Sequence, residues 1–336
     1  MKIGVYYPDF IPHSAGYYVE HIRKELSSAG VEFVKYSSRD ELPPDVNLYW
    51  DFHSMGGNPP HHHLKKASKP VVVTVHGAAP FAMPGKDLYP SLRSRMKSKV
   101  TNYRKLRGWR GFNDVIVAII TVSQFAKDEI QRCLKLDKYP IFPIYHGVNH
   151  QVFRPLKSGE PGAGEKPYLL HVSHYHPIKN VERIIYAYQG IQTDDKPDLV
   201  LILPGYKGKR ADPGVRLITE PQHPAELAEY YRGARGFVFP SLRESFGMPV
   251  LEAMASGCPV ITSNVSGCNE IAASAALLVN PYSVQEIREA MAKLLENSNL
   301  RSNLREKGLE RASKFSWQTC AKRHFEVLSQ VIGDDA

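Results

Sequence analysis

Cysteine is scarce in this chain of 336 residues, and its four cysteines show neither zinc-ligand spacing nor a C-x-x-C pair. We expect Cys133, Cys258, Cys268 and Cys320 to be free, buried thiols, because disulfides are rare in the cytoplasm. Long apolar runs are also missing, since no stretch approaches the ~20 residues that cross a bilayer. The start MKIGVYYPDF shows no signal-peptide pattern. These absences predict a globular cytoplasmic protein. Its 336 residues are enough for two domains of ordinary size.

Motifs for acyl transfer and for metal-bound diphosphates are absent as well. The sequence has no G-x-S-x-G, and no Cys–His pair stands at a known catalytic spacing. It has no D-x-D pair, and Asp194 and Asp195 fall in a polar TDDKPD turn. A histidine-rich stretch begins at His53 and includes His61, His62 and His63. Consecutive residues rarely all point at one ion, and no carboxylate or cysteine stands at ligand spacing, so we expect a polar loop and no metal.

Only one acidic residue occurs between residues 86 and 110, and this segment carries most of the net charge of +9. Its nine cations minus one acid, Asp87, give +8; the cations are Lys86, Arg93, Arg95, Lys97, Lys99, Arg104, Lys105, Arg107 and Arg110. Apolar residues recur there at three- and four-residue spacing, which predicts an amphipathic helix: Leu88, Leu92, Met96, Val100 and Tyr103. This helix either meets anionic lipid headgroups or a lipid-diphosphate acceptor, or it presents a solvated charged face. We expect no nucleic-acid partner.

The stretch FVFPSLRESFGMPVLEAMASGCPVITSN, residues 237–264, reads as strand, loop, helix and strand. A helix is expected to open at Gly247, with Pro249 in its first turn, and to end at Gly257 in a left-handed conformation. The free N–H groups and the dipole at a helix start favour an anion, so this unit predicts a phosphate site.

Two glutamates flank this predicted helix start. With Glu244 in the loop and Glu252 in the first helical turn, both can face one ligand. Glu252 would accept hydrogen bonds from a ribose diol, and Glu244 would face a sugar beyond the diphosphate. The alternative is that Glu252 only complements the helix dipole and Glu244 is a solvated loop residue.

This stretch, ESFGMPVLEAMASGCPV, resembles the signature of the retaining GT-B glycosyltransferases of family 4, with Ser245 in place of a usual Gly. The resemblance continues through SNVSGCNEI and LLVNPYS to Phe315, Ser316 and Trp317. It implies an α/β fold of the GT-B type, in which two Rossmann-like domains face each other across a cleft. The expected domains are an acceptor-side domain at 1–152, joined by a returning helix at 317–336, and a nucleotide-sugar domain at 153–316.

The resemblance also implies site residues. His76, Glu244 and Lys179 would be catalytic. The donor would be bound by Gly16, Ser173, His174, Lys179, Gly205, Glu244, Phe246, Gly247, Met248, Pro249, Val250 and Glu252. The chain departs from the family where Ser173 and His174 replace a Gly-Arg pair whose Arg grips the diphosphate, and an imidazole is only partly charged near neutrality. Gly16 is the remaining half of a Gly pair in the first strand-to-helix loop.

The function implied is retaining transfer of a hexose from a nucleotide-diphosphate sugar to a saccharide or lipid-linked saccharide, without metal or other cofactor. Lys179, His174 and the helix start would stabilise the departing diphosphate. The alternatives are a GT-B epimerase and a nucleotide-sugar-binding subunit without transferase activity. We expect the protein in the cytoplasm, with peripheral contact to the inner face of the membrane through residues 86–110.

Overall fold

The computed structural model describes residues 1–89, 91–157, 167–193, 196–208 and 213–333, and its contacts divide the chain into two units. Unit 1 comprises Met1–Gly147 and Trp317–Ala336, and unit 2 comprises Val148–Ser316. The change of unit falls at Gly147, slightly before the boundary expected after residue 152. The turn with Asp194 and Asp195 lies outside the described residues.

Unit 1 begins with six strands and five helices. The strands are β1 (Lys2–Tyr6), β2 (Glu32–Tyr36), β3 (Leu48–Ser54), β4 (Val71–Val75), β5 (Ile116–Thr121) and β6 (Ile141–Pro143). The helices are α1 (His13–Ser28), α2 (Ala79–Ala82), α3 (Gly85–Leu88), α4 (Leu92–Trp109) and α5 (Gln124–Leu134). All strands pair in parallel in the order β2-β1-β3-β4-β5-β6. Each residue of β4 is buried, as its continuous apolar sequence predicts for a central parallel strand.

Unit 2 repeats this architecture. Its strands are β7 (Tyr168–Val172), β8 (Asp198–Ile202), β9 (Val215–Ile218), β10 (Ala234–Phe239), β11 (Val260–Ser263) and β12 (Leu277–Val279). Its helices are α6 (Val181–Gln189), α7 (Pro224–Gly233), α8 (Met248–Ala255), α9 (Ser266–Ala272), α10 (Val284–Glu296) and α11 (Ser298–Ala312). The parallel order is β12-β11-β10-β7-β8-β9. The last helix, α12 (Trp317–Gly333), belongs to unit 1 and packs on α1.

A buried polar network joins α1 to α12. The Nδ1–H of His324 donates to the Cys320 carbonyl at 2.8 Å, so its Nε2 accepts the Tyr18 hydroxyl at 2.5 Å. Thr74 Oγ1 lies 3.3 Å from the Tyr18 oxygen and accepts the indole N–H of Trp50 at 3.0 Å. Because all these polar atoms are buried, each hydrogen bond offsets a desolvation cost.

The structure corrects the prediction of a loop around Gly16. Helix α1 starts at His13, so Gly16 lies in its first turn instead of in an open turn between strand and helix. The apolar residues Ala15, Tyr18, Val19 and Ile22 are buried at helical spacing, and this extends the helix toward Pro12.

The basic segment also differs from the single amphipathic helix predicted. It is divided into α3 and α4. Helix α4 begins at Leu92, and its N-cap is Ser91, whose hydroxyl accepts the Ser94 N–H at 3.1 Å. Leu88 is buried in α3, whereas Leu92, Met96, Val100 and Tyr103 of α4 are exposed. Within the described ranges, no helix combines the length and apolar character that crossing a bilayer requires.

All four cysteines are free thiols, as the sequence predicts. Cys258, Cys268 and Cys320 are buried, and Cys133 is only partly buried, so the expectation that every thiol is buried was wrong for Cys133.

Candidate active site

Two loops of unit 2 meet where the strand order of its sheet reverses. From β7, the chain adds β8 and β9 on one side and β10, β11 and β12 on the other. Ligands of such doubly wound sheets bind outside the carboxyl ends of the strands at this switch point. The loop after β7 carries Ser173 to Lys179, and the loop after β10 carries the signature residues up to Gly247. The expected donor residues of these loops therefore occupy the position where doubly wound sheets bind their ligands.

Asn180 holds the two loops together. It is buried, with a left-handed φ of 64°, and its side-chain amide donates to the carbonyls of Pro240 at 2.8 Å and Pro281 at 2.6 Å. Nearby, the Leu242 N–H donates to the Ile178 carbonyl at 2.8 Å. These bonds fix the backbone on both sides of Lys179.

Lys179 and Glu244 form an ion pair across these loops. Lys179 Nζ lies 2.6 Å from Glu244 Oε1, and the two side chains are 20% and 15% exposed. The Ser241 hydroxyl donates to the same oxygen at 2.7 Å, and the Glu244 N–H donates to Ser266 Oγ at 3.1 Å. The structure thus brings together two of the three predicted catalytic residues. An anion bound here would compete with Glu244 for the charge of Lys179.

No side-chain hydrogen bond caps the start of α8, and we call this feature the open start of the helix. Gly247 precedes it with φ 110° and ψ 48°, a conformation that favours glycine, and no side chain caps the helix. Pro249 stands in the first turn, and Gly257 follows the helix with φ 76°, both as predicted. Gly267 of α9 keeps the signature loop close, because a Cβ there would lie 2.6 Å from the Ser245 carbonyl oxygen and 2.7 Å from the Phe246 nitrogen.

Glu252 is the fifth residue of α8, so it stands in the second turn and not in the first as expected. It is half-buried, and the Tyr231 hydroxyl donates to its Oε2 at 3.3 Å. Burial raises the pKa of Glu252 to about 7, although the Tyr231 hydrogen bond acts in the opposite direction. Near neutrality this carboxyl is therefore poised between its two protonation states.

Ser173 and His174 occupy different environments. Ser173 is buried, and its hydroxyl donates to His171 Nε2 at 2.8 Å, because His171 Nδ1–H donates to the Val238 carbonyl at 2.8 Å. Burial lowers the pKa of His171 to about 4, so this ring is neutral. His174 is solvent-exposed at the end of β7. Only His174 of this pair presents its side chain to a ligand from solution.

The remaining candidates for the donor site would contact a ligand mainly through their backbone atoms. Gly205 is exposed with φ 75°, and its N–H donates to the Thr219 carbonyl at 3.0 Å. Phe246 and Val250 are buried, so their side chains support the loop and the helix. Met248 and Pro249 are partly exposed at the start of α8.

His76 belongs to unit 1 and follows β4, at the carboxyl edge of its sheet. Its Nε2–H donates to the Phe52 carbonyl at 2.7 Å, and its N–H donates to the Ser54 carbonyl at 2.9 Å. Burial lowers the pKa of His76 to about 4, so the ring is neutral near pH 7. With Nε2 occupied, Nδ1 is the ring atom that can accept a hydrogen bond.

The histidine-rich loop differs from the expectation that consecutive histidines do not all point at one ion. A 3-10 helix starts at His62, and it gathers His61, His62 and His63 so that one ligand atom from each lies within 4.8 Å of the others. Asp51 is buried beside this loop and accepts the His61 N–H at 3.0 Å and the His53 ring at 2.7 Å. Burial lowers the pKa of His53, but the hydrogen bond and charge of Asp51 outweigh this and raise it. The three consecutive rings can therefore approach one point, contrary to the argument from spacing.

Sequence reasoning missed several residues that build the site. Ser241 and Ser266 bind Glu244, Tyr231 binds Glu252, and Asn180 ties the loops. These residues come from the ends of different elements, and their spacing in the sequence carries no signal. Ser266 could have been found only through the SNVSGCNEI segment that follows β11.

Two family models match this chain, and together they extend from β3 in unit 1 to α11 in unit 2. "Glycosyl transferases group 1" matches residues 154–311, and "Glycosyltransferase Family 4" matches residues 41–152. The chain belongs to the family 4 glycosyltransferases. The signature loop, α8 and Lys179 all fall inside the first match.

Known proteins similar to this glycosyltransferase agree with that assignment. O-antigen chain mannosyltransferase B of Escherichia coli is 28% identical over 280 residues, which are 77% of this chain and 69% of the relative. Sucrose-phosphate synthase from Thermosynechococcus elongatus has a TM-score of 0.74 at 17% identity, covering 99% of both chains. Anabaena HepE in complex with UDP and glucose has a TM-score of 0.71 at 15% identity, covering 98% of this chain and 100% of that one. These likenesses confirm the predicted α/β fold of the GT-B type.

Proposed function

We propose that this glycosyltransferase transfers a hexose with retention from a nucleotide-diphosphate sugar to a saccharide or lipid-linked saccharide, without a metal or other cofactor. The observation that carries the proposal is the arrangement of Lys179, Glu244 and the open start of α8 at the switch point of unit 2. A cation and an uncapped helix start are the two groups that bind a diphosphate most directly.

The donor diphosphate would lie at the start of α8. Its oxygens would accept hydrogen bonds from the first backbone N–H groups and from Lys179, which would then leave Glu244. Glu244 would keep the Ser241 hydroxyl bond and turn its second oxygen toward the sugar hydroxyls. Exposed His174 would add charge when protonated.

The nucleoside would extend toward Glu252. A carboxylate accepts hydrogen bonds from both hydroxyls of a ribose, and the Tyr231 hydroxyl holds one of its oxygens in place. The pKa of about 7 favours this role, because donor binding would stabilise the ionised form that burial disfavours. In unit 1, neutral His76 would offer Nδ1 as an acceptor to a sugar hydroxyl.

Transfer would proceed on the face of the sugar that the leaving group occupies. The acceptor oxygen forms a bond to the anomeric carbon as the bond from that carbon to the phosphate oxygen breaks, through an oxocarbenium-like state. The leaving phosphate takes the proton of the acceptor hydroxyl. Lys179 and the helix start stabilise the charge that develops on the diphosphate, and this replaces the divalent ion that other transferases use.

The relatives suggest the chemistry of the substrates. Because the E. coli relative is a mannosyltransferase of the O-antigen chain, we propose a mannose donor and a growing saccharide acceptor, carried on a lipid at the cytoplasmic face of a membrane. Uridine diphosphate sugars are the first donors to test, since Anabaena HepE forms a complex with UDP and glucose.

A donor screen tests this function. Nucleotide-diphosphate mannose, glucose and galactose are compared for the rise in melting temperature that they cause, and the anomer of the product is assigned by NMR with EDTA present. Stabilisation by one donor and a retained anomer are expected. An inverted anomer, or activity that only Mg²⁺ or Mn²⁺ restores, would contradict the mechanism. Interconversion of donor sugars without an acceptor would favour the epimerase, and binding without turnover would favour the binding subunit.

A further inference from the structure

Helix α4 turns its apolar side away from unit 1. Leu92, Met96, Val100 and Tyr103 recur at four-, four- and three-residue spacing, and they are 72%, 66%, 54% and 61% exposed. This spacing places them along one side of the helix. Large apolar side chains arranged in a continuous exposed stripe mark a surface that another apolar phase covers.

Polar groups attach α4 to the rest of unit 1. Arg95 Nε donates to the Tyr89 carbonyl at 3.0 Å, and Asn102 Nδ2 donates to the Pro80 carbonyl at 2.6 Å. Lys105 Nζ donates to the Gly56 carbonyl at 2.9 Å, and the indole N–H of Trp109 donates to the Gly57 carbonyl at 3.1 Å. Burial lowers the pKa of Lys105. The usual arrangement, with apolar residues inward and charges outward, is thus reversed in this helix.

Exposed cations run beside the apolar stripe. Arg93, Lys97, Arg104 and Arg107 lie on the adjacent part of the outward side, and α4 contains no acidic residue. The Arg107 guanidinium also lies 5.9 Å from the centre of the Tyr103 ring. An interfacial helix has this pairing of an apolar stripe with flanking cations, because its apolar side chains enter the acyl boundary while the cations meet anionic headgroups.

We propose that α4 docks this glycosyltransferase on an anionic membrane surface, with Leu92, Met96, Val100 and Tyr103 entering the headgroup region. Charge complementarity decides for lipid over a second copy of the chain, because two copies of α4 would bring their cations together. The docking surface lies on unit 1 and is separate from the donor site in unit 2, so it holds whether or not the proposed donor chemistry does.

The test is co-flotation with vesicles of phosphatidylcholine alone or mixed with phosphatidylglycerol, at low and raised salt. Wild type is expected to float only with the anionic vesicles, and less at raised salt. Changing Arg93, Lys97, Arg104 and Arg107 together to Gln should lower binding by about two orders of magnitude or more. The matched control changes four exposed cations elsewhere in unit 1, Lys24, Arg132, Lys322 and Arg323, to Gln and should bind better than the α4 variant.

Two further measurements test insertion itself. Changing Met96 and Val100 to Gln keeps every charge and should lower vesicle binding about tenfold or more, since each removes an exposed apolar group. Tyr103→Trp places an indole in the stripe, and its emission should shift to the blue on anionic vesicles only. Calorimetric donor binding must stay unchanged in all variants, which separates this inference from the proposed function.

Several outcomes would overturn the proposal. The proposal is wrong if wild type does not bind anionic vesicles at low salt. It is also wrong if the α4 variant and the control variant lose the same amount of vesicle binding. A dimer in sedimentation without lipid that Met96→Gln and Val100→Gln convert to monomer would assign the stripe to a second copy instead. An unshifted Tyr103→Trp emission on bound vesicles would show that charge alone holds the protein there.

Discussion

At the scale of single residues, Glu252 and Lys179 have environments that fit ligand binding better than folding. Glu252 is half-buried with one hydroxyl partner, and its pKa is raised to about 7 by burial. Lys179 is paired with a glutamate that Ser241 also binds. A ligand can add hydrogen bonds to the Glu252 carboxylate, and a bound anion can replace Glu244 as the partner of Lys179.

Glu252→Gln should weaken donor binding and stabilise the free protein. Loss of the carboxylate should cost donor affinity about 1.5–3 kcal/mol, the range for hydrogen bonds to charged groups. The folded pKa of about 7 lies above the ordinary value of 4.5, so the folded chain binds the proton more tightly. The stability that Glu252 contributes to the wild type therefore decreases as pH rises from 4.5 through about 7. The glutamine of Glu252→Gln does not titrate, so the variant lacks this decrease.

Calorimetry and melting temperatures at pH 5 and pH 8 check both effects. Exposed Glu306→Gln on α11 is the control and should alter neither. Donor affinity that is equal in Glu252→Gln and wild type would remove Glu252 from the site.

Lys179→Gln should lower kcat by about 10²–10³, as expected when one preorganised donor to a developing negative charge is lost. Folding stability should change by only about 1 kcal/mol or less, because ion pairs with some exposure contribute little. Lys314→Gln, which breaks the exposed pair with Glu310 at 3.0 Å, is the matched control and should retain full kcat. A proportional fall of kcat and melting temperature in the Lys179 variant would instead indicate a structural role.

His174 tests the departure from the family signature. Its side chain is exposed just beyond the end of β7. His174→Arg supplies a permanent charge and a planar fork for the diphosphate, so it should hold or raise donor turnover. His174→Ala removes the ring and should lower donor turnover. Equal turnover in wild type and the alanine variant would leave Lys179 and α8 alone with the leaving group.

At the scale of elements, the contact between α1 and α12 depends on one tyrosine. Tyr18→Phe removes the hydroxyl that His324 Nε2 accepts, and it leaves that buried nitrogen without its partner. The free energy of unfolding should drop by about 1–3 kcal/mol. Denaturant unfolding measures this, with Tyr186→Phe on α6, where the side chain is exposed, as the control. An unchanged free energy would mean that the network contributes nothing net.

At the scale of the whole molecule, buried neutral histidines should make the fold sensitive to acid. Burial lowers the pKa of His76, His171 and His324 to about 4, and it lowers that of His146 well below the usual 6.5. The unfolded chain therefore binds more protons between pH 6.5 and 4, and stability should be lost as pH falls through that window. Glu252 and His53, whose pKa values are raised, act in the opposite direction, but they are two groups against these four.

Melting temperatures across that pH window measure the effect. His171→Asn, which keeps a neutral hydrogen-bonding side chain, should make the acid slope shallower. If the melting temperature were flat between pH 6.5 and 4, these histidines would be accessible to protons in the folded state.

Sequence alone determined the parts of this protein that are local in the chain. The run from Phe237 to Asn264 specified the strand, the open start of α8 and the left-handed Gly257, and its resemblance to a family signature implied the α/β class. These features depend on helix and turn preferences of neighbouring residues, so they can be read in order.

Only the tertiary structure decided which distant groups meet. It joined Lys179 to Glu244, placed the Tyr231 hydroxyl on Glu252, drew Gly16 into α1 and gathered the three consecutive histidines. It also turned the apolar side of α4 outward, because Arg95, Asn102 and Lys105 find backbone carbonyls on the body of unit 1. A helical pattern shows that an apolar stripe exists, but the partners available on the neighbouring surface decide which side is buried.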